Sequence, residues 1–311
     1  MSSGKIPGVF SVSHGRNICY ISNRLPNPDY PGASSRNRFL LTIQGGPAVK
    51  ISRKTIVTGV LALLFPLLPL TSALATGKAV KPAPDEVLKM LREGNQRFVA
   101  GESSHPHSDA KRLRQAGSEN QGDHAYATVV SCSDSRVPVE ALFDAGIMDL
   151  FVIRVAGNVC DTDEAGSIEY GLAHVNTPVL VVLGHTQCGA VTAVTHAVHG
   201  SGHALERNIP PLVDNIEPAV KRAMAQHPDM HGDAIIPQAI VENVWQGIED
   251  LFMASPATRD LVKSGKVKVV GAIYDVGTGK IEWLDETKPK TILKKVEASP
   301  GKAEAHAGKS H

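Results

Sequence analysis

Short apolar runs alternate with longer amphipathic stretches along the chain from about residue 84 onward. Five apolar runs predict strands, because short β-branched runs are typical of buried strands: 126–131, 149–155, 178–184, 266–276 and 280–284. Stretches with apolar residues at helical spacing lie before and between these runs and predict helices at 84–99, 109–117, 138–144, 163–175, 189–199, 209–226 and 232–254. This alternation predicts an α/β fold with a central, mostly parallel sheet flanked by helices, and an amino-terminal helical arm. The sequence Gly277-Thr278-Gly279 predicts a hairpin between the last two strands.

Residues 49–75 have the pattern of a secretory signal peptide. Basic residues precede an apolar stretch at 55–70, and Ala73-Leu74-Ala75 then gives a small-x-small cleavage pattern. Pro66 and Pro69 interrupt the apolar stretch, which is also short for a membrane anchor. We therefore expect export to the periplasm, with no stable membrane anchor after cleavage.

The segments at the two ends of the chain do not have the periodicity of folded elements. Residues 1–48 are expected to be a disordered leader upstream of a true translation start at Val49, and residues 76–83 a linker. Residues 286–311, rich in Lys, Glu, Ala and His, are expected to form a disordered tail. The 311 residues carry a formal net charge of +1 and show no broad basic field, so nucleic acid is not an expected partner.

Candidate chemistry lies where two of the predicted strands end. Cys132, Asp134 and Arg136 follow the first core strand, and His185 and Cys188 follow the third. Ligands of such sheets bind beyond the carboxyl ends of the strands. Cys, His and Asp are zinc donors, so the pattern predicts a metal site at this edge. The alternatives are a buried core cysteine, an aspartate that caps a helix and a loop histidine.

Five segments carry a resemblance to a known family. They are CSDSRVP at 132–138, FVIRVAGN at 151–158, SIEYGLAH at 167–174, GHTQCGAV at 184–191 and GAIYDVGTG at 271–279. In this order they resemble the β-class carbonic anhydrases, over a domain at about 84–285. The resemblance implies one Zn²⁺ per subunit, held by Cys132, His185 and Cys188.

The resemblance also implies a reaction, the reversible hydration of carbon dioxide to bicarbonate and a proton by zinc-bound hydroxide. Asp134 and Arg136 would be the catalytic pair. Asp134 would either bind the metal and close the site, or pair with Arg136 and leave the fourth position to water. Two alternatives stay open at this stage: hydrolysis of carbon disulfide or carbonyl sulfide on the same fold, and a non-catalytic closed zinc protein.

Substrate contacts and oligomeric state follow from the resemblance in the same way. Phe151, Ala156 and Tyr170 would line an apolar pocket, with Tyr170 a candidate for the site of a partner subunit. The backbone N–H of Gly189 would donate to a substrate oxygen. We expect a homodimer or homotetramer, in which the helix that begins near Pro84 extends onto a partner.

Three positions set this chain apart or stay unexplained. Asp123 stands nine residues before Cys132, where many relatives have a glutamine that contacts substrate, and Gln121 lies two residues away. Val129 stands where relatives with a regulatory bicarbonate pocket have tryptophan, so no such pocket is expected. Cys160 is interpreted as a buried free thiol, with a redox role or intermolecular pairing as alternatives.

Overall fold

The structure is a computed structural model and describes residues 81–202 and 205–299. Its centre is a five-stranded sheet in the order β2-β1-β3-β4-β5. The strands are β1 (Ala127–Ser131), β2 (Leu150–Arg154), β3 (Val179–His185), β4 (Lys268–Tyr274) and β5 (Ile281–Trp283). The first four are parallel, and β5 pairs antiparallel with β4 through the predicted hairpin. The predicted α/β class and mostly parallel sheet are confirmed.

Helices cover both faces of the sheet in the described part of the chain. They are α1 (Pro84–Ala100), α2 (Ala110–Ala116), α3 (Val139–Leu142), α4 (Thr162–Glu169), α5 (Gly189–Val198), α6 (Ile209–Asp214), α7 (Glu217–Gln226), α8 (Ile236–Ala254), α9 (Pro256–Lys263) and α10 (Lys288–Glu297). The predicted helix at 163–175 divides into α4 and a π-helical turn, Tyr170–His174. The predicted helix at 209–226 is two helices, and Pro218 lies in the first turn of the second.

The sheet separates two cores, because β1 and β3 are apolar on both faces. Val130 and Val182 point to the face that is covered by α5, α7 and α8. Val129 and Val181 point to the opposite face, which α1 and α3 cover. The central strands are therefore buried throughout, and their ends are the places where polar side chains reach a rim.

Helix α1 forms the predicted amino-terminal helical element and packs one face on its own chain. Val87, Leu88 and Leu91 are buried against the sheet. Asn95 donates to the carbonyls of Leu142 and Gly279 at 3.1 and 2.9 Å. The apolar face of this helix therefore belongs to the core of its own chain, and the expected contact of the helix with a partner subunit stays a prediction.

The expected disordered tail begins with a helix. Helix α10 buries Ile292, Leu293 and Val296, three apolar positions at helical spacing among lysines. These side chains join the core beside α8, and this packing outweighs the polar composition of the segment. The prediction for 286–299 is thus wrong, and residues 300–311 lie outside the described residues.

The predictions for the amino-terminal segments also fall outside the described residues, which begin at Lys81. Lys81 itself, at the end of the predicted linker, donates to the carbonyl of Val175 at 2.6 Å. Among the helices that the structure describes, none combines the length and the apolar character of a membrane span.

Candidate metal centre

Three predicted ligands come together at the carboxyl edge of the sheet. Cys132 directly follows β1, His185 ends β3, and Cys188 is the N-cap residue of α5. Because β1 and β3 are parallel neighbours, their carboxyl ends meet at one edge. All three side chains are buried, and their ligand atoms lie within 4.8 Å of one another. This is the only such group of three among the residues that the structure describes.

The hydrogen bonds of His185 leave one ring nitrogen available for a metal. Its Nδ1 lies 3.0 Å from the carbonyl oxygen of Thr186. A carbonyl can only accept, so Nδ1 carries the proton and Nε2 keeps a lone pair. Nε2 is buried and has no hydrogen-bond partner in the described structure. An orphaned acceptor beside two sulfurs fits a metal ion, because buried polar groups are otherwise paired.

The two cysteines differ in how easily each holds negative charge. The Cys132 sulfur accepts the backbone N–H of Gly157 at 3.3 Å and that of Asp134 at 3.5 Å. A hydrogen bond with Cys188, together with these two backbone donors, lowers the pKa of the Cys132 thiol. The same bond, together with burial, raises the pKa of the Cys188 thiol. The backbone N–H groups therefore favour negative charge on the Cys132 sulfur, and the thiolate is the form in which cysteine binds a metal.

Asp134 is turned toward Arg136 and does not join the three ligands. Arg136 grips it with Nε on Oδ1 at 3.0 Å and Nη2 on Oδ2 at 2.7 Å, and the Arg136 backbone N–H adds a bond of 2.9 Å to Oδ1. These bonds hold the pKa of the Asp134 carboxyl well below its usual range. Of the two arrangements expected for Asp134, the structure has the Arg136-paired one.

Two residues that the sequence analysis did not assign hold this pair in place. Gln187 receives the Arg136 guanidinium on its backbone carbonyl at 3.1 Å and on its side-chain Oε1 at 3.3 Å. Arg154, at the end of β2, donates to the carbonyls of Asp134 and Cys132 at 2.6 and 3.2 Å. Both residues lie inside the motifs that carry the resemblance. Their place in those motifs could have identified them as candidate site residues.

The four predicted substrate contacts divide into two groups. Gly189 opens α5 directly beside Cys188, and a Cβ added there would meet no atom within 4 Å, so this position borders open space. Ala156 lies next to Gly157, whose N–H contacts the Cys132 sulfur. These two positions therefore belong to the surroundings of the three ligands.

The other two lie at a distance from the ligands of their own chain. Phe151 pairs in register with Thr128, four residues before Cys132, or roughly 13 Å along the strand. The ring of Tyr170 lies tilted against that of Phe151, with ring centroids 5.9 Å apart, and Tyr170 is half exposed. Asp123 is exposed and precedes the amino end of β1, which is also the far end of the sheet.

Cys160 lies in the core and takes no part in the cluster. It is 4% exposed and unpaired, and burial raises the pKa of its thiol well above the ordinary value.

Because the thiolate is the reactive form, we expect Cys160 to resist a thiol reagent in the native chain and to react after unfolding. Peptide mass analysis of native and denatured labelled samples measures this. Rapid native labelling at Cys160 would instead support a redox role.

The fold and the site together define an α/β protein with a buried Cys-His-Cys group. A family model described as carbonic anhydrase matches residues 127–281. A carbonic anhydrase of Mycolicibacterium smegmatis is 34% identical over 199 residues, which are 64% of this chain and 92% of that protein. Carbonic anhydrase 2 of Mycobacterium tuberculosis is 34% identical over 197 residues, which are 63% of this chain and 91% of that protein.

Solved structures give the same result. The β-carbonic anhydrase CcaA matches with a TM-score of 0.50 and 25% identity, covering 65% of this chain and 89% of that chain. The β-carbonic anhydrase CafA of Aspergillus fumigatus matches in fold with a TM-score of 0.53 and 24% identity, covering 69% of this chain and 98% of that chain. The chain belongs to the β-class of the carbonic anhydrase family and is an enzyme of that family.

Proposed function

We propose that the protein catalyses the reversible hydration of carbon dioxide to bicarbonate and a proton, at a Zn²⁺ ion held by Cys132, His185 and Cys188. The observation that carries the proposal is the buried group of three ligand atoms within 4.8 Å. Two sulfurs and one imidazole nitrogen are a donor set that suits zinc, and three protein ligands are typical of a catalytic site. Bound zinc supplies Lewis acidity, which lowers the pKa of a coordinated water to about 7.

Asp134 and Arg136 then have distinct tasks in the proposed mechanism. Asp134 stays ionised because Arg136 donates two side-chain hydrogen bonds to it. An ionised carboxylate is an acceptor only, so it can take a hydrogen bond from the attacking water and orient its lone pair. Arg136 also holds the carboxylate away from the fourth position of the proposed metal site. This argues against a permanently closed zinc protein, in which Asp134 would occupy the fourth position.

Carbon dioxide would bind beside the ligands, near the open N-terminus of α5. The N–H of Gly189 is an unsatisfied first-turn donor that could bind a substrate oxygen, and Ala156 contributes a small apolar side chain.

A second copy of the chain would complete the pocket. Among the described strands, β2 pairs only with β1, so its outer edge is available for pairing. Phe151 and the half-exposed Tyr170 lie along this side of the sheet, away from the ligands of their own chain. We propose a homodimer or higher homo-oligomer in which these two rings line the site of the partner subunit. The signal-peptide pattern at 49–75 supports a periplasmic location for the mature chain.

Stopped-flow hydration assays on the purified protein, with zinc measured on the same sample, test this function. We expect one zinc per chain, a rate that disappears when a chelator removes the metal, and recovery when zinc is returned. A zinc-free protein, or zinc-loaded protein with no hydration, would contradict the proposal. Zinc-loaded protein that hydrolyses carbon disulfide or carbonyl sulfide but not carbon dioxide would support the alternative substrate.

A further inference from the structure

One buried amide outside the ligand set reaches toward the metal centre. Asn243 lies in the middle of α8, is 2% exposed, and its Nδ2 donates to the carbonyl oxygen of Gly157 at 2.7 Å. The N–H of the same glycine donates to the Cys132 sulfur at 3.3 Å. The two peptide groups that flank the Gly157 α-carbon are thus fixed by Asn243 on one side and by a ligand on the other.

The turn that Asn243 holds has an unusual backbone conformation. Gly157 has φ +75° and Asn158 has φ +46°, so two consecutive residues are in the left-handed region. Asn158 is not a glycine, although asparagine adopts this region more often than most residues with a side chain. A Cβ at Gly157 would lie 2.7 Å from Cδ1 of Ile216, which would have to shift, and the positive φ would strain any residue with a side chain. The direction of the Gly157 N–H therefore depends on what holds the turn.

Helix α8 supplies that restraint from the core side. Asn243 is a polar residue among the apolar residues that α8 packs on the sheet, and burying an amide is unfavourable unless it is hydrogen-bonded. Its side-chain N–H donates only to Gly157 in the described structure. A leucine at this position would be stabilised by apolar packing. The amide of Asn243 is instead stabilised by its hydrogen bond to the 156–158 turn.

We propose that Asn243 is a positioning residue for the metal centre. It fixes the 156–158 turn so that the Gly157 N–H points at the Cys132 sulfur and stabilises its negative charge. The inference rests on the proposed zinc site and deepens it. Groups that orient metal ligands in this way affect metal affinity without touching the metal.

Substitution of Asn243 separates this role from a general contribution to the core. Asn243→Ala removes the donor, and Asn243→Leu replaces it with an apolar side chain of similar size that cannot donate, so the test does not depend on one variant folding. Gln246→Ala is the matched control. Gln246 is another buried amide of α8, and its side-chain hydrogen bonds join it to Arg222 at 2.5 Å and to Asp250 at 2.7 Å, not to the 156–158 turn.

Zinc affinity, measured by competition with a chelator, is the main readout. We expect both Asn243 variants to bind zinc about 10- to 100-fold more weakly, and Gln246→Ala to bind it like the wild type. The sulfur-to-metal charge-transfer band of the Co²⁺-substituted protein should also shift in the Asn243 variants only.

Equal zinc affinity and an unchanged cobalt band in the Asn243 variants would overturn the inference while leaving the proposed function intact. Equal losses in Gln246→Ala would also overturn it, because they would assign the effect to the core of α8. Absence of zinc from the wild-type chain would contradict the proposed function, and this inference with it.

Discussion

Asp134→Ala should lower the rate of carbon dioxide hydration by about 10²- to 10⁴-fold while zinc stays bound, which is the usual range for loss of a positioned proton acceptor. The carboxylate is outside the buried group of three ligands and is held by Arg136, so its removal should leave the metal in place. Stopped-flow rates and zinc content, measured on the same preparation, test both statements.

Asp144→Ala is the control for this variant. Asp144 makes the same kind of ion pair, with Arg97 Nε at 2.6 Å, but it lies in the loop that leads into the amino end of β2. Loss of the Asp144 carboxylate should lower the free energy of unfolding and leave the hydration rate per zinc unchanged. Full activity in Asp134→Ala would refute the proposed catalytic role. Loss of zinc from that variant would show instead that Asp134 is needed to hold the metal.

The ionisation of Asp134 also constrains the pH dependence of activity. Because Arg136 depresses its pKa in the folded chain, any stability that the pair contributes is present above the ordinary carboxyl pKa and is lost only as pH falls through the lower folded value. Asp134 is therefore ionised throughout the neutral range. A change of activity near pH 7 would have to arise from the metal-bound water or from another group, not from Asp134.

The sequence was informative about the metal centre because its residues sit at strand ends. Apolar runs locate β1 and β3. Neighbouring parallel strands have their carboxyl ends at the same edge of the sheet, whatever the conformation of the connecting loops. The juxtaposition of Cys132 with His185 and Cys188 follows from that rule. No detail of side-chain packing was required to predict it.

Features that depend on tertiary contacts were not predictable in this way. Gln187 and Asn243 act through hydrogen bonds to segments that are distant in sequence. Gln187 lies inside a motif, but its partner Arg136 is set by the fold, and Asn243 has no local signature. The apolar spacing of α10 was hidden by its lysines, and only contact with α8 shows which side is buried. The apolar face of α1 was visible in the sequence, but not whether this chain or a partner covers it.

His185→Ala should abolish zinc binding and reduce hydration to the background rate. Removing the imidazole leaves only two protein ligands, both sulfurs, and a cavity that water can enter. Zinc content by elemental analysis and stopped-flow hydration are the two measurements. Retention of one zinc per chain, together with activity, would place the metal elsewhere and contradict the proposed centre.

His199→Ala is a closely matched control, because His199 has the same hydrogen-bonding pattern without the two sulfurs. Its Nδ1 bonds to the carbonyl of Thr195 at 2.8 Å, and its Nε2 is buried without a partner in the described structure, as in His185. An orphaned imidazole nitrogen is therefore not sufficient to predict a metal. The difference lies in Cys132 and Cys188, which surround only His185. We expect His199→Ala to keep its zinc and its activity, and loss of zinc from both variants would point to a general effect of histidine removal on folding.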